Sequence, residues 1–277
     1  MLLEVPVSTP ARTTHSGPGA DPADWERTGV RLHVADATAT VTLCRPERRN
    51  AQSPALWRAL AAIGRSLPGS VRLVILRAEG LSFSAGLDRA MFSPEGIPGE
   101  RSLLELATGD GEAEIAGFQE AFTWWRRPDL ITVAAVQGHA VGAGFQLALA
   151  CDLRVCAEDV QFSMRETSLG LVPDLAGTKP LVDLVGPARA LEICGTGRWV
   201  TAAEADRIGL ANLVVPGTEL DAAAADLGAA LLAAPRDALI ETKALLQGAP
   251  GRSHEQQQAA ERAAQVRRLR DLSGVGE

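Results

Sequence analysis

The chain has 277 residues, 46% of them hydrophobic, and a net charge of −7. That length suits one or two domains with a large packed core, and the acidic balance excludes the basic face that a nucleic-acid partner needs. The four cysteines and four histidines are scattered, which excludes a disulfide scaffold and zinc-type spacing, and no apolar run is long enough to span a membrane.

Residues 1–24 are rich in Pro, Gly, Ser and Thr and lack the charged start and apolar core of a signal peptide, so they are predicted to be a disordered leader. "GVRLHVAD" and "TATVTLCRP" alternate around a polar turn and predict an antiparallel strand pair. Ser53 and Pro54 mark the start of a helix through "SPALWRALAAIGRSL". "VRLVILRAEG" and "ITVAAVQG" are continuous apolar runs, as in strands buried on both faces. A helix is expected between them, over about 112–126, ending before Pro128. "DLRVCAED" and "VQFSM" add two short strands. Beyond residue 175 the pattern becomes helical: "GPARALEICGTG" with Gly195 past its end, "TAAEADRIGL" with a capping box from Thr201 to Glu204, then about 219–233, 235–247 and 253–271, with one last strand at "ANLVV". The layout predicts an α/β core over 25–217 and a helical C-terminal subdomain over 218–277 that packs on its own core or on another subunit. The cysteines read as small buried hydrophobes of a reducing cytoplasm. Met91, Phe92, Phe118, Phe122, Trp124 and Trp125 could line an apolar tunnel or pack the core, and most are expected in the core.

Three segments could carry chemistry. In "GHAVGAGFQLALA" (138–150), Gly138, Gly142 and Gly144 permit tight turns, and a helix starting near Ala143 aims free N–H groups into the turn, which suits a developing oxyanion. The same glycines would serve close packing of helix on strand. They do not fit the dinucleotide fingerprint, whose third glycine would fall at Leu147, and "GLVPDLAGTK" has the wrong spacing for a phosphate loop. "GLSFSAGLD" (80–88) follows a buried strand and could supply a second N–H, with Asp88 as a helix N-cap. It is not a nucleophile elbow. In "QFSMRETSLGLVPDLAGT" (161–178), Glu166 and Asp174 stand eight residues apart in an apolar stretch, where carboxylates can exchange protons. The alternative is an ion pair of Glu166 with Arg165 or another arginine. Arg262, Arg267, Arg268 and Arg270 read as a solvated face or as a phosphate contact. His139 reads as a strand-end residue beside the pocket, because no nucleophile, base and orienting group can be assembled around it.

Taken together, "RPERRNAQSPAL", "FSAGLD", "GHAVGAGFQLALACDLRV" and "ETSLGLVPDLAGT" resemble, in order and spacing, the motifs of the enoyl-CoA hydratase/isomerase family, the crotonase superfamily, over about residues 28–271. The resemblance implies a crotonase-like (ClpP/crotonase) spiral of β-β-α repeats with a C-terminal oligomerisation region. It implies homotrimers or homohexamers, an acyl-CoA thioester as substrate, and no cofactor or metal beyond the coenzyme A that the substrate carries. The oxyanion hole would be the N–H groups of Leu87 and Ala143, and the backbone around Ser82, Ser84 and Ala85 would lie along CoA. The family's hydratases carry two glutamates; the second matches Glu166, but the first matches Gln146, an amide that accepts no proton. Asp174 matches the catalytic aspartate of the family's dienoyl-CoA isomerases. The expectation is therefore a cytoplasmic enoyl- or dienoyl-CoA isomerase working through a thioester enolate. Glu166 is its base, Asp174 a second proton carrier and Gln146 a neutral wall. The alternatives are a hydratase using Glu166 and Asp174, a thioester hydrolase or decarboxylase, and a non-catalytic acyl-CoA binder.

Overall fold

The computed structural model describes residues 22–93 and 96–274. Most of the expected leader lies outside them, but its last residues open a helix, α1 (Pro22–Thr28), whose Trp25 is buried in the core. The expected hairpin follows as β1 (Val30–Ala35) and β2 (Thr38–Leu43), antiparallel in register from Val30 opposite Leu43 to Ala35 opposite Thr38. Helix α2 (Pro54–Ser66) starts where the sequence places it: Ser53 accepts from the Leu56 N–H and Pro54 takes the first helical position.

The remaining chain alternates strands and helices: β3 (Leu73–Ala78), α3 (Gly111–Thr123), β4 (Ile131–Val136), β5 (His139–Val141), α4 (Ala143–Ala150), β6 (Leu153–Ala157), β7 (Gln161–Ser163), α5 (Thr178–Val185), α6 (Pro187–Thr196), β8 (Val200–Thr201), α7 (Ala202–Arg207), β9 (Leu213–Val215), α8 (Leu220–Leu232), α9 (Arg236–Gly248) and α10 (His254–Ser273). The main sheet runs β1-β2-β3-β4-β6-β9, parallel except for its first pair, and a small sheet runs β5-β7-β8.

Strand period places the two cores. Val74, Leu76, Ala134, Val136 and Cys156 face a large core shared with α2, α3 and α4. Leu73, Ile131, Val133, Ala135, Val155 and Ala157 face a smaller one completed by Leu220 and Ala224 of α8. Both faces of the central strands are therefore covered, as their unbroken apolar runs required. The helical C-terminal region is thus not a detached unit, since α8 packs against β3, β4 and β6.

Several local expectations need adjusting. The short strand β5 lies inside what reads as a Gly-rich turn, and α5 begins at Thr178, the last residue of the acidic segment. Helix α6 ends on Gly197 in the left-handed region, two residues beyond Gly195. Cys151 and Cys156 are buried, but Cys44 and Cys194 are only partly so. Met91, Phe118, Phe122 and Trp125 are buried, Trp124 stacks on Trp125 half-buried, and Phe92 is exposed. Among the C-terminal arginines, Arg267 pairs with Glu241, and Arg268 with Asp237 and Asp271. No helix among the described residues is long and apolar enough to cross a membrane.

Candidate active site

Three chain segments meet at the N-terminal end of α4. The first follows β3. Its residues 82–88 are tied on both sides: Ser84 N–H donates to the His139 carbonyl and Val141 N–H to the Ser84 carbonyl, while Gln52 N–H donates to the Gly86 carbonyl and Asp88 N–H to the Gln52 carbonyl. In that last exchange Gly86 and Asp88 turn their backbone groups toward Gln52. Strand alternation then turns the Leu87 N–H the other way, and it has no acceptor among the described residues.

The second segment is the start of α4. Gly142 has φ +51 and its N–H donates to the Ser163 carbonyl. Ala143, the first helical residue, has an N–H with no acceptor among the described residues, as helix geometry allows. The two segments touch at Gly86, which has φ +87; a Cβ built there would stand 2.5 Å from the Val141 carbonyl oxygen and 3.7 Å from the Ala143 nitrogen. Only glycine permits that approach and that conformation. The two segments, far apart in sequence, thus meet at Gly86, and each presents a backbone N–H with no acceptor among the described residues.

The third segment carries Glu166. A Cβ on Gly142 would lie 3.1 Å from Glu166 Oε1, so the carboxylate stands beside the start of α4. The expected alternative, an ion pair with Arg165, does not form: Arg165 instead lies over the Trp199 ring, 5.0 Å from its centroid. Glu166 Oε1 accepts from Gln146 Nε2 at 2.7 Å, and Oε2 is buried with no partner among the described residues. Burial pushes the Glu166 carboxyl above its ordinary range, with the charge of Asp174 adding to the shift and the Gln146 hydrogen bond opposing it. Burial also raises Asp174.

Gln146 is the centre of this arrangement. Every residue of α4 is buried, Gln146 included. Its Oε1 accepts from the N–H groups of Leu175 and Gly177, at 2.9 and 3.3 Å, while its amide nitrogen donates to Glu166. A Cβ on Gly177 would come within 2.6 Å of the Gln146 side chain, so the loop needs glycine there to sit on the amide. The Asp174 carbonyl is held from the other side by Gln119 Nε2 of α3 at 2.7 Å. Gln146 is therefore more than a wall. It fixes the loop that carries Asp174 and aims the carboxylate of Glu166.

The other expected positions divide. Ala85 is exposed, whereas Ser82 and Ser84 are buried. Ser82 Oγ lies 3.3 Å from His139 Nδ1, and His139 meets the Trp199 ring edge-on. Ser84 Oγ is spent inside the protein. Asp88 accepts from Ala90 N–H, as an N-cap should. Sequence reasoning missed Gln119, Gln52 and Trp57, whose roles depend on contacts that no local pattern announces.

The profile of the family described as Enoyl-CoA hydratase/isomerase matches residues 34–271. A Δ(3,5)-Δ(2,4)-dienoyl-CoA isomerase of Dictyostelium discoideum is 31% identical over 68% of this chain and 65% of its own length, so the chain spans about two thirds of that relative. A hydroxycinnamoyl-CoA hydratase-lyase of Pseudomonas fluorescens is 30% identical over 73% of this chain and 72% of its own. Among solved structures, a Thermobifida fusca protein with a provisional enoyl-CoA hydratase assignment, in complex with acetoacetyl-CoA, superposes with a TM-score of 0.88. It has 45% identity and covers 91% of this chain and 99% of its own.

Proposed function

This chain belongs to the enoyl-CoA hydratase/isomerase family, and within that family we propose that it is an acyl-CoA double-bond isomerase. The thioester carbonyl sits between the N–H groups of Leu87 and Ala143. Glu166 Oε2, the unpartnered oxygen, takes a proton from the acyl chain. The electron pair left behind delocalises onto the thioester oxygen, where the two N–H groups stabilise it; losing one such donor costs about 3 kcal/mol of barrier. The proton then returns at the other end of the enolate, from Glu166 or from Asp174, and the double bond has moved. The backbone around Ser82, Ser84 and Ala85 runs along CoA. Solved complexes of a structural neighbour with CoA and with acetoacetyl-CoA support the ligand class.

The observation that carries this reading is the state of Gln146. Hydration needs a group that accepts a hydrogen bond from the attacking water. Both acceptor sites of the Gln146 oxygen are taken by Leu175 and Gly177, and what remains is one N–H. The amide can neither activate water nor take its proton, so the site keeps one carboxylate poised for abstraction. A second reading, hydration shared by Glu166 and Asp174, is favoured by the hydratase names of several relatives. A panel of 3-enoyl-, dienoyl- and crotonyl-CoA esters with product mass analysis separates the two. Isomerisation moves the double bond at unchanged mass, which NMR of the product reads, hydration adds one water, and a non-catalytic binder leaves both mass and NMR spectrum of the ester as they were. A homotrimer or homohexamer goes with this reading, supported by the exposed Leu246, Val266, Leu269 and Leu272 of α9 and α10.

A further inference from the structure

We infer that Gln52 is a positioning residue for the oxyanion hole, acting on Leu87 through its own backbone and on both donor segments through the hydroxyl of Ser84. Gln52 lies before α2, outside the three segments that build the site, and is completely buried. Buried polar groups in that position must have partners, and Gln52 makes four bonds, two by its backbone and two by its side-chain amide. Its N–H donates to the Gly86 carbonyl and its carbonyl accepts from Asp88 N–H, both at 2.7 Å. Those two bonds bracket Leu87 and dictate which way its N–H points. Its side-chain Oε1 accepts from Trp57 Nε1 at 2.8 Å, and its Nε2 donates to Ser84 Oγ at 3.2 Å.

Ser84 Oγ is where the two donor segments join. It donates to the Asn50 carbonyl at 2.8 Å and accepts from Gly86 N–H at 3.2 Å as well as from Gln52, so its donor and both acceptor sites are used. It also packs against α4: a Cβ on Gly144 would lie 2.9 Å from it. Gln52 is thus bonded to the Leu87 segment directly and abuts the Ala143 segment through one hydroxyl. Trp57 fixes the outer end, because its ring packs on Phe118 and Phe122 of α3 at centroid distances of 5.0 and 6.0 Å. An apolar side chain of similar size would fill the same space; what it would lack is the aim. The inference rests on the thioester reading above, and its test must tell the two apart.

The probe is butyryl-CoA carrying carbon-13 at the thioester carbonyl, a saturated ester that the proposed reaction leaves intact. Hydrogen bonds from the two N–H groups lower its carbonyl stretching frequency, which isotope-edited infrared difference spectra read in the bound complex. The wild-type protein should lower the frequency. Gln52→Leu should lose at least half of that shift and about tenfold in kcat on 3-enoyl-CoA, with KM changing less than twofold. Trp57→Phe removes the indole N–H together with part of the ring volume, keeps an aromatic ring against Phe118 and Phe122, and should lose a smaller part of the shift. It serves in place of Gln52→Leu if that variant does not fold. A wild-type shift that the folded variants retain in full overturns the role of Gln52 and leaves the thioester reading standing. A wild-type complex with no shift overturns that reading, and the role of Gln52 with it.

Discussion

At the C-terminal end of α4, Asp152 is surrounded by donors. Its Oδ2 accepts from Lys243 Nζ at 2.7 Å and from the N–H and hydroxyl of Thr132, while Oδ1 accepts from Gln247. Lys243, also buried, spends its other protons on the carbonyls of Arg127 and Leu130. At the N-terminal end of the same helix, Glu166 has one oxygen held by Gln146 and the other left bare, beside two backbone N–H groups that are bare as well. Both regions bury charge, and only one satisfies it. Satisfied polar groups tie α9 to the core; unsatisfied ones cost stability and mark where a ligand completes the set.

The largest expected break in this contrast is Glu166→Gln. It should lower kcat for double-bond migration by about a thousandfold with little change in CoA affinity. Its effect on stability should run the other way. The folded pKa of Glu166 lies above the unfolded value, so its favourable contribution is complete below the unfolded pKa and is lost as pH rises through the folded one. At pH 8 the glutamine variant should therefore melt above the wild type, and at low pH the difference should vanish. Calorimetry at the two pH values checks this.

Lys243→Met should do the reverse. Leaving Asp152 and two carbonyls without their cation costs about 3 kcal/mol of stability, read by urea denaturation, while kcat per folded molecule stays within about twofold. Smaller effects sharpen the open side. Asp174→Asn should reduce kcat about tenfold if Asp174 returns the proton; an unchanged kcat assigns both transfers to Glu166. The smallest effect is on pH dependence. The proposed proton abstraction uses ionised Glu166, so kcat/KM should rise with pH through a midpoint above the ordinary carboxylate range. Because the charge of Asp174 raises Glu166, that midpoint should move to lower pH in Asp174→Asn.

The sequence shows the parts of this contrast unequally. Ser53, Pro54, Thr201 and the apolar runs at 71–78 and 131–138 mark helix starts and central strands because caps and periodicity are local. Strand β5 does not show, because its three residues sit between glycines and form a strand only by pairing with β7. The left-handed Ala176 does not show either; its conformation is held by the bonds of Leu175 and Gly177 to an amide about thirty positions away. The ordered motifs point to Leu87, Ala143 and Glu166. They also show that Gln146 cannot be a base, but not that its oxygen is already engaged. Gln52 reads as one more residue before a helix until Ser84 and Trp57 are placed against it.

The central claim is that Glu166 moves a proton along an acyl chain whose thioester oxygen rests on Leu87 and Ala143, without adding water. Its most direct measurement follows a 3-enoyl-CoA ester with the wild-type protein in deuterium oxide by NMR and mass spectrometry. The account predicts a 2-enoyl-CoA product in which the double bond has moved, with deuterium exchanged into the acyl chain wherever the abstracted proton equilibrates with solvent and no hydroxyl group added. Accumulation of 3-hydroxyacyl-CoA as the main product, or recovery of the ester with its double bond unmoved and no deuterium incorporated, would contradict it.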